Sequence, residues 1–205
     1  MEIIRLTVGP LATNCYILYL PRGKGEPTEG FVIDPGGECK QILDVLKRYN
    51  IRVKAIINTH GHADHIFCNE VLRMATECEV WMSKEEADIA ADAEKNTSGY
   101  SGEKFCFASV DRELEEGESV KLGEKVVLRV ILLPGHSPGG IGLISTDRRY
   151  AFLGDLVFEQ GYGRTDLFGG DAKALKKSLE RIKKELTPDT FICPGHGEVF
   201  CLRQR

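Results

Sequence analysis

The sequence predicts an α/β protein built of two packed sheets with helices outside them, and three observations carry the prediction. The order strand, strand, helix, strand, helix recurs in both halves of the 205-residue chain, and strand runs followed by helices favour stacked sheets with helical outer layers. No break in composition marks a linker, so residues 1–205 read as one domain, a length that buries a full core. Several strands end in glycine beside histidine or aspartate, and glycine lets a backbone turn sharply and approach a ligand closely.

Composition narrows the function classes. Apolar residues make up 42% and charged residues 28%, as in an ordinary soluble globular protein. A net charge of −4 gives no electrostatic case for a nucleic-acid partner. No apolar run approaches the ~20 residues that cross a bilayer. The start Met1-Glu2-Ile3-Ile4-Arg5-Leu6 lacks the basic and apolar regions of a signal peptide. Seven cysteines form no C-x-x-C pair, and an odd count without a signal peptide points to reduced thiols and a cytoplasmic location. Cys68 and Cys193 lie close to histidine motifs.

Taken in order, residues 3–20 alternate and then run apolar, with Cys15 to Leu20 a strand and Gly9-Pro10 interrupting the first strand candidate as a hairpin or bend before it. The Pro/Gly-rich segment Pro21 to Gly30 reads as a surface turn, and Phe31 to Asp34 as a buried strand closed by Pro35-Gly36-Gly37. A helix follows from Cys39 to Tyr49, with Ile42, Leu46 and Tyr49 on one face. The strand Val53 to Ile57 leads into Asn58-Thr59-His60-Gly61-His62-Ala63-Asp64-His65, and helix resumes to Ala75. After a short strand at Glu79 to Met82, Ser83-Lys84-Glu85-Glu86 fits a capping box for a helix reaching Glu94. Asn96 to Phe107 reads as a loop with aromatic residues, either lining a pocket or crossing the surface. New strands begin near Glu118, with Val126 to Leu133, Ile141 to Ser145 and Tyr150 to Leu153 the strongest. A glycine-rich loop from Gly161 to Gly170 precedes an amphipathic helix from Asp171 to Leu186 and a last strand, Phe191 to Cys193.

Three of the five histidines crowd with Asp64 into one strand-end loop, where neutral imidazole and ionised carboxylate are metal-ligand chemistry. The others stand in the same setting, at Gly135-His136 and Gly195-His196, as does Asp155 after Gly154. A lone histidine is usually structural, but that explanation needs five coincidences here. Seven candidate ligands exceed the ~4 of a structural zinc site, so two ions ~3.5–4 Å apart are the natural solution. Spacing leaves open which histidine joins which ion. A shared water would be acidified towards hydroxide near neutral pH.

Thr59-His60-Gly61-His62-Ala63-Asp64-His65, Pro134-Gly135-His136, Gly154-Asp155 and Pro194-Gly195-His196-Gly197 resemble the successive motifs of the metallo-β-lactamase-fold superfamily. With Leu11-Ala12-Thr13-Asn14-Cys15-Tyr16 and Gly163-Arg164-Thr165-Asp166, the set is similar to the glyoxalase II-like branch, in its short, single-domain hydroxyacylglutathione hydrolase-like form. The resemblance implies an αββα sandwich, two mixed sheets flanked by helices, with metal at one edge. It assigns His60, His62 and His136 to one ion, and Asp64, His65 and His196 to a second, with Asp155 between them. It also implies two divalent ions, zinc first and iron or manganese as alternatives, whose hydroxide attacks a small-molecule thioester such as S-lactoylglutathione. Asp64 would orient that hydroxide and relay its proton.

Two departures from the branch stand out. The chain stops nine residues after His196, so the C-terminal helical domain that helps bind glutathione is expected to be missing. Arg164 and Asp166 replace the lysine and tyrosine of that branch. Arg164 can grip a substrate carboxylate, or the two residues form a turn that braces the loop. Competing expectations are a mononuclear-iron, persulfide dioxygenase-like oxidoreductase lacking His62 as a ligand, another ester, lactone or β-lactam hydrolase, and a binding protein that kept the fold. Gly197 after His196 disfavours the dioxygenase, and the complete ligand set disfavours the binding protein.

Overall fold

The computed structural model describes residues 1–21, 23, 26–100 and 104–202. The first half builds a sheet in the order β1 (Glu2–Val8), β2 (Thr13–Tyr19), β3 (Thr28–Ile33), β4 (Ile51–Ile57), β5 (Glu79–Met82) and β6 (Arg112–Glu113). The first two contacts are antiparallel and the remaining three parallel. Its crossovers are helical: α1 (Cys39–Arg48), then α2 (Ala63–Ile66) and α3 (Asn69–Thr76), then α4 (Lys84–Ala90). The second half contributes β7 (Ser119–Leu122), β8 (Lys125–Leu132), β9 (Ile141–Ser145) and β10 (Tyr150–Gly154). The small hairpin β11 (Val157–Phe158) and β12 (Gly161–Tyr162), α5 (Ala172–Glu185), β13 (Phe191–Pro194) and β14 (Phe200–Cys201) complete it. Its sheet runs β14-β13-β10-β9-β8-β7, antiparallel except for β10 against β13.

The two-residue period of a strand sorts side chains into three apolar layers. Leu18, Phe31, Ile33 and Trp81 from the first sheet meet Leu128, Val130, Leu143 and Phe152 from the second. The opposite faces supply Ile17, Val32, Ile56 and Val80 to Ile42, Leu46 and Leu72 of α1 and α3. Ile131, Ile144 and Ala151 face Leu175 and Ile182 of α5. The result is helix, sheet, sheet, helix, as expected. Among the described residues no helix is long and apolar enough to cross a membrane.

Several local expectations change. β3 starts at Thr28, three residues earlier than the apolar run, because Thr28 to Ile33 all pair with β4. The rest of the Pro21–Gly30 turn includes Arg22, Lys24 and Gly25, which lie outside the described residues, as do 101–103 of the Asn96–Phe107 loop and the terminal 203–205. Tyr49 is not on the buried face of α1: it caps the helix, 44% exposed, against Tyr19. The helix after His65 is broken at Phe67-Cys68. α4 ends at Ala90 rather than Glu94, because the Asp92 carboxylate accepts from the N–H groups of Glu94 and Lys95 and turns the chain.

The capping box is also overturned. Ser83 occupies the cap position but makes no cap hydrogen bond. Its hydroxyl donates instead to Gly139 O at 2.6 Å, and Glu86 is fully buried with its oxygens on other loops. Nor are all the cysteines reduced. Cys39 and Cys68 are disulfide-bonded, their Cα atoms 5.4 Å apart, within bridging range. Cysteine usage therefore gives no argument for a reducing compartment. Cys193 is a buried thiol whose pKa is pushed up to about 12 by burial.

Candidate metal centre

All seven predicted donors converge at one edge of the sandwich, and pairing register explains how. Ile33 opposite Ile57 in parallel strands places Asp34 beside Asn58-Thr59, and Gly154 opposite Pro194 places Asp155 beside Gly195-His196. The two sheets are joined at this edge by Ile141 N–H on Thr59 O at 2.8 Å and Asn14 N–H on Gly195 O at 2.7 Å. Tyr16 Oη and Asn14 Nδ2 both donate to Pro194 O and hold the end of β13. At Gly195 the backbone runs so close to Asp155 and the His65 ring that a Cβ would collide with both.

Three sets of donor atoms lie within 4.8 Å of one another: His60, His62 and His136; Asp64, His65 and His196; and His60, His65 and Asp155. In the first set the rings stand edge-on, with centroids 4.6, 4.9 and 4.7 Å apart and interplanar angles of 84° to 86°. Asp155 touches all sides, with Oδ1 3.4 Å from His65 Nε2 and Oδ2 3.7 Å from His136 Nε2 and 3.4 Å from His196 Nε2. Asp64 Oδ2 lies 3.2 Å from His196 Nε2 and accepts the Thr13 hydroxyl at 3.0 Å.

The outer partner of each imidazole fixes its tautomer, because a ring nitrogen facing an acceptor carries the proton. His136 Nδ1 donates to Arg164 O at 2.8 Å, and His196 Nδ1 to Leu11 O at 3.0 Å. His65 Nδ1 faces Asp34 Oδ2 at 3.1 Å. The Thr59 hydroxyl donates to Asp34 Oδ2 at 2.6 Å, so it can only accept from His60 Nδ1 at 3.1 Å. In these four rings it is Nε2 that faces the centre. His62 is reversed and brings Nδ1 to within 3.0 Å of His136 Nε2.

Electrostatics divide the donors. Burial, reinforced by neighbouring imidazoles, lowers His60 well below the usual histidine range and His62 to about 3, so both rings are neutral. Burial also opposes charge on His65, but Asp64, Asp34 and Asp155 outweigh it and raise its pKa well above normal. His196 is likewise raised against its burial, to about 10, by hydrogen bonds to Asp155 and Asp64. Burial would raise Asp64, yet His65 and His196 hold it at about 2. This half of the centre favours positive charge, of a proton or a metal cation alike.

The residues fit divalent metal. Imidazole nitrogen and carboxylate oxygen suit zinc, iron and manganese. His60 Nε2 and Asp155 Oδ1 are buried without a hydrogen-bond partner among the described residues, a costly arrangement unless something binds them.

The residues that support the donors carry little local signal in the sequence. Asp34 accepts from Thr59 N–H at 2.7 Å and from its hydroxyl while facing His65; an acid closing an apolar strand run was its signal. Thr13, Thr59 and Glu86 had none that local pattern could separate from strand and cap. Arg164 lies beside the centre through its carbonyl, but its guanidinium forms a bidentate pair with Asp166 at 2.6 and 2.7 Å, both side chains largely exposed.

A fold of this kind around such a donor cluster defines a class, and the chain belongs to the metallo-beta-lactamase superfamily, whose family model matches residues 8–196. It is 34% identical to an uncharacterized protein of Aquifex aeolicus over all of this chain and 93% of that one. It is 30% identical to the hydroxyacylglutathione hydrolase GloC of Haemophilus influenzae, over all of this chain and 93% of that protein. Among solved structures, the BLEG-1 B3 metallo-beta-lactamase superposes with a TM-score of 0.89 at 30% identity, covering 99% of this chain and 95% of the other. TTHA1623 in a di-iron-bound form gives 0.81 at 30% identity, with 98% and 95% covered. The fold and donor cluster are those of a metal-dependent hydrolase.

Proposed function

We propose that this protein hydrolyses acyl thioesters of the S-lactoylglutathione type with two divalent ions. The observation that carries the reading is the pair of donor sets, His60/His62/His136 and Asp64/His65/His196, on either side of Asp155. Likeness to a hydroxyacylglutathione hydrolase supports the substrate class, and a di-iron-bound relative supports the ion count. Zinc is the first choice of metal, with iron and manganese as alternatives.

When bound, the ions would supply Lewis acidity and a nucleophilic water near neutral pH. The chain's own groups do the rest. Asp64 is held as a carboxylate, oriented by the Thr13 hydroxyl, and accepts a proton of the attacking water at Oδ2. The outer contacts of His60, His65, His136 and His196 keep their Nε2 atoms turned inward. Loss of a thiolate, with a pKa near the ~8.5 of cysteine, asks less of a general acid than loss of an amine. Leu11 (64% exposed) and Phe158, whose ring centroid is 6.0 Å from that of His196, form an apolar rim for the acyl group.

The test is metal-replete protein with S-lactoylglutathione, following the thioester absorbance and counting metal per chain. Turnover with two ions per chain is expected. No turnover across an acyl-thioester panel would sink the proposal. Likeness to a B3 metallo-beta-lactamase makes a β-lactam the second substrate to try, and hydrolysis of it alone would replace the thioester. One iron per chain with oxygen uptake on glutathione persulfide would instead favour the dioxygenase-like alternative.

A further inference from the structure

We propose that Glu86 is a positioning residue for the three-histidine set, a carboxylate clamp that fixes the His60–His62 loop against the His136 loop. Its Oε2 accepts Gly61 N–H at 2.7 Å and its Oε1 accepts Gly139 N–H at 2.7 Å. Gly61 lies between His60 and His62, and Gly139 lies three residues after His136. One side chain therefore bridges donor loops from the two halves of the molecule. Ser83, at the cap of the same helix, holds Gly139 by its carbonyl.

The fit leaves no slack. A Cβ at Gly61 would stand 2.6 Å from Glu86 O and 2.9 Å from Ala90 N, and one at Gly139 would stand 2.6 Å from Ser83 Oγ, so the two loops seat directly on α4, one along its body and the other at its start. Glu86 is fully buried, and burying a carboxylate is costly unless its lone pairs are used. A helix cap would need no such burial. Glu86 is not itself a member of any of the donor sets. It acts on the spacing of three rings, and metal–nitrogen bonds tolerate only about 0.2 Å of misplacement. The Asp64/His65/His196 set is braced elsewhere, by Thr13, Asp34 and Leu11 O.

The proposal rests on reading His60, His62 and His136 as ligands of one ion, and the experiment separates the two. Zinc affinity is measured by chelator competition for Glu86→Gln in two parents. His196→Ala weakens the second set and leaves the three-histidine set intact; His62→Ala does the reverse. Glutamine offers one acceptor oxygen for two N–H groups. A loss of roughly 10- to 100-fold, the usual effect of removing an outer-sphere partner, is expected in the His196→Ala parent. Less than about 3-fold is expected in the His62→Ala parent, with a shifted visible spectrum of the cobalt-loaded protein in the first parent only. Equal losses in both parents, or no loss in the first, overturn the clamp. Should Glu86→Gln not fold, Ser83→Ala must give a smaller loss confined to the same parent, and its absence overturns the clamp too. Wild-type protein that takes up no divalent ion sinks the ligand reading, and the clamp with it.

Discussion

His136 and His196 lean on main-chain carbonyls, whereas His65 and, through Thr59, His60 both lean on the one carboxylate of Asp34. Asp34→Ala should therefore loosen both sets at once, lowering metal affinity by about 10- to 100-fold; chelator competition reads this, and wild-type affinity would refute the shared support. On the proposed reading of His62 as a ligand, His62→Ala should drop turnover to background; its ring is buried edge-on to the His60 and His136 rings, so the metal-free melting temperature should fall by a few degrees rather than stay at the wild-type value. Arg164 is a different case. Its pairing with Asp166 makes the loop nearly neutral towards an anionic substrate, the bracing turn rather than a ready grip. Asp166→Ala should lower KM for an anionic thioester several-fold and leave kcat unchanged, and a KM that rises would show that the pair itself is what binds.

At the scale of elements, donors are delivered by strand ends whose glycines allow contacts no other residue permits. Gly135, at φ 141°, abuts the backbone of Leu175 at the start of α5. Gly135→Ala should destabilise the protein by about 1–3 kcal/mol through overpacking and displace His136, read as a lower melting temperature together with weaker metal binding. The Cys39–Cys68 bridge, with a sequence separation of 29, ties the start of α1 to the turn after α2. Its loss in Cys39→Ser should cost about 3–4 kcal/mol on chain-entropy grounds, measured by urea unfolding without reductant. These elements also mark how far the sequence could be read. Glycine beside histidine or aspartate at strand ends is a local pattern that marks His60, His62, His136, Asp155 and His196, while Asp64 and His65 are marked by crowding with them in one short loop. Ser83 and Glu86 also make a local pattern, yet their partners at Gly139 are 56 and 53 residues away, and tertiary contact overrode the cap. The bridge was illegible for the same reason, since nothing near either cysteine points to the other.

For the whole molecule, the donors divide between the halves. His60, His62, Asp64 and His65 follow β4 of the first sheet, while His136, Asp155 and His196 follow β8, β10 and β13 of the second. Bound metal would thus add a cross-link between two sheets already held by their shared apolar layer and by hydrogen bonds at this edge. At free metal 100-fold above Kd the linkage is worth about 2.7 kcal/mol per ion, or ~5–10 °C in Tm for a chain this size. Thermal melts with and without chelator check it, and an unchanged Tm would mean that the donors do not act together. Both the three-histidine set and the Asp64/His65/His196 set draw on both halves. Metal content is then an inspection mark of assembly: a chain whose halves have folded but not closed on each other remains metal-poor, and the metal-to-protein ratio of a preparation counts the molecules that finished.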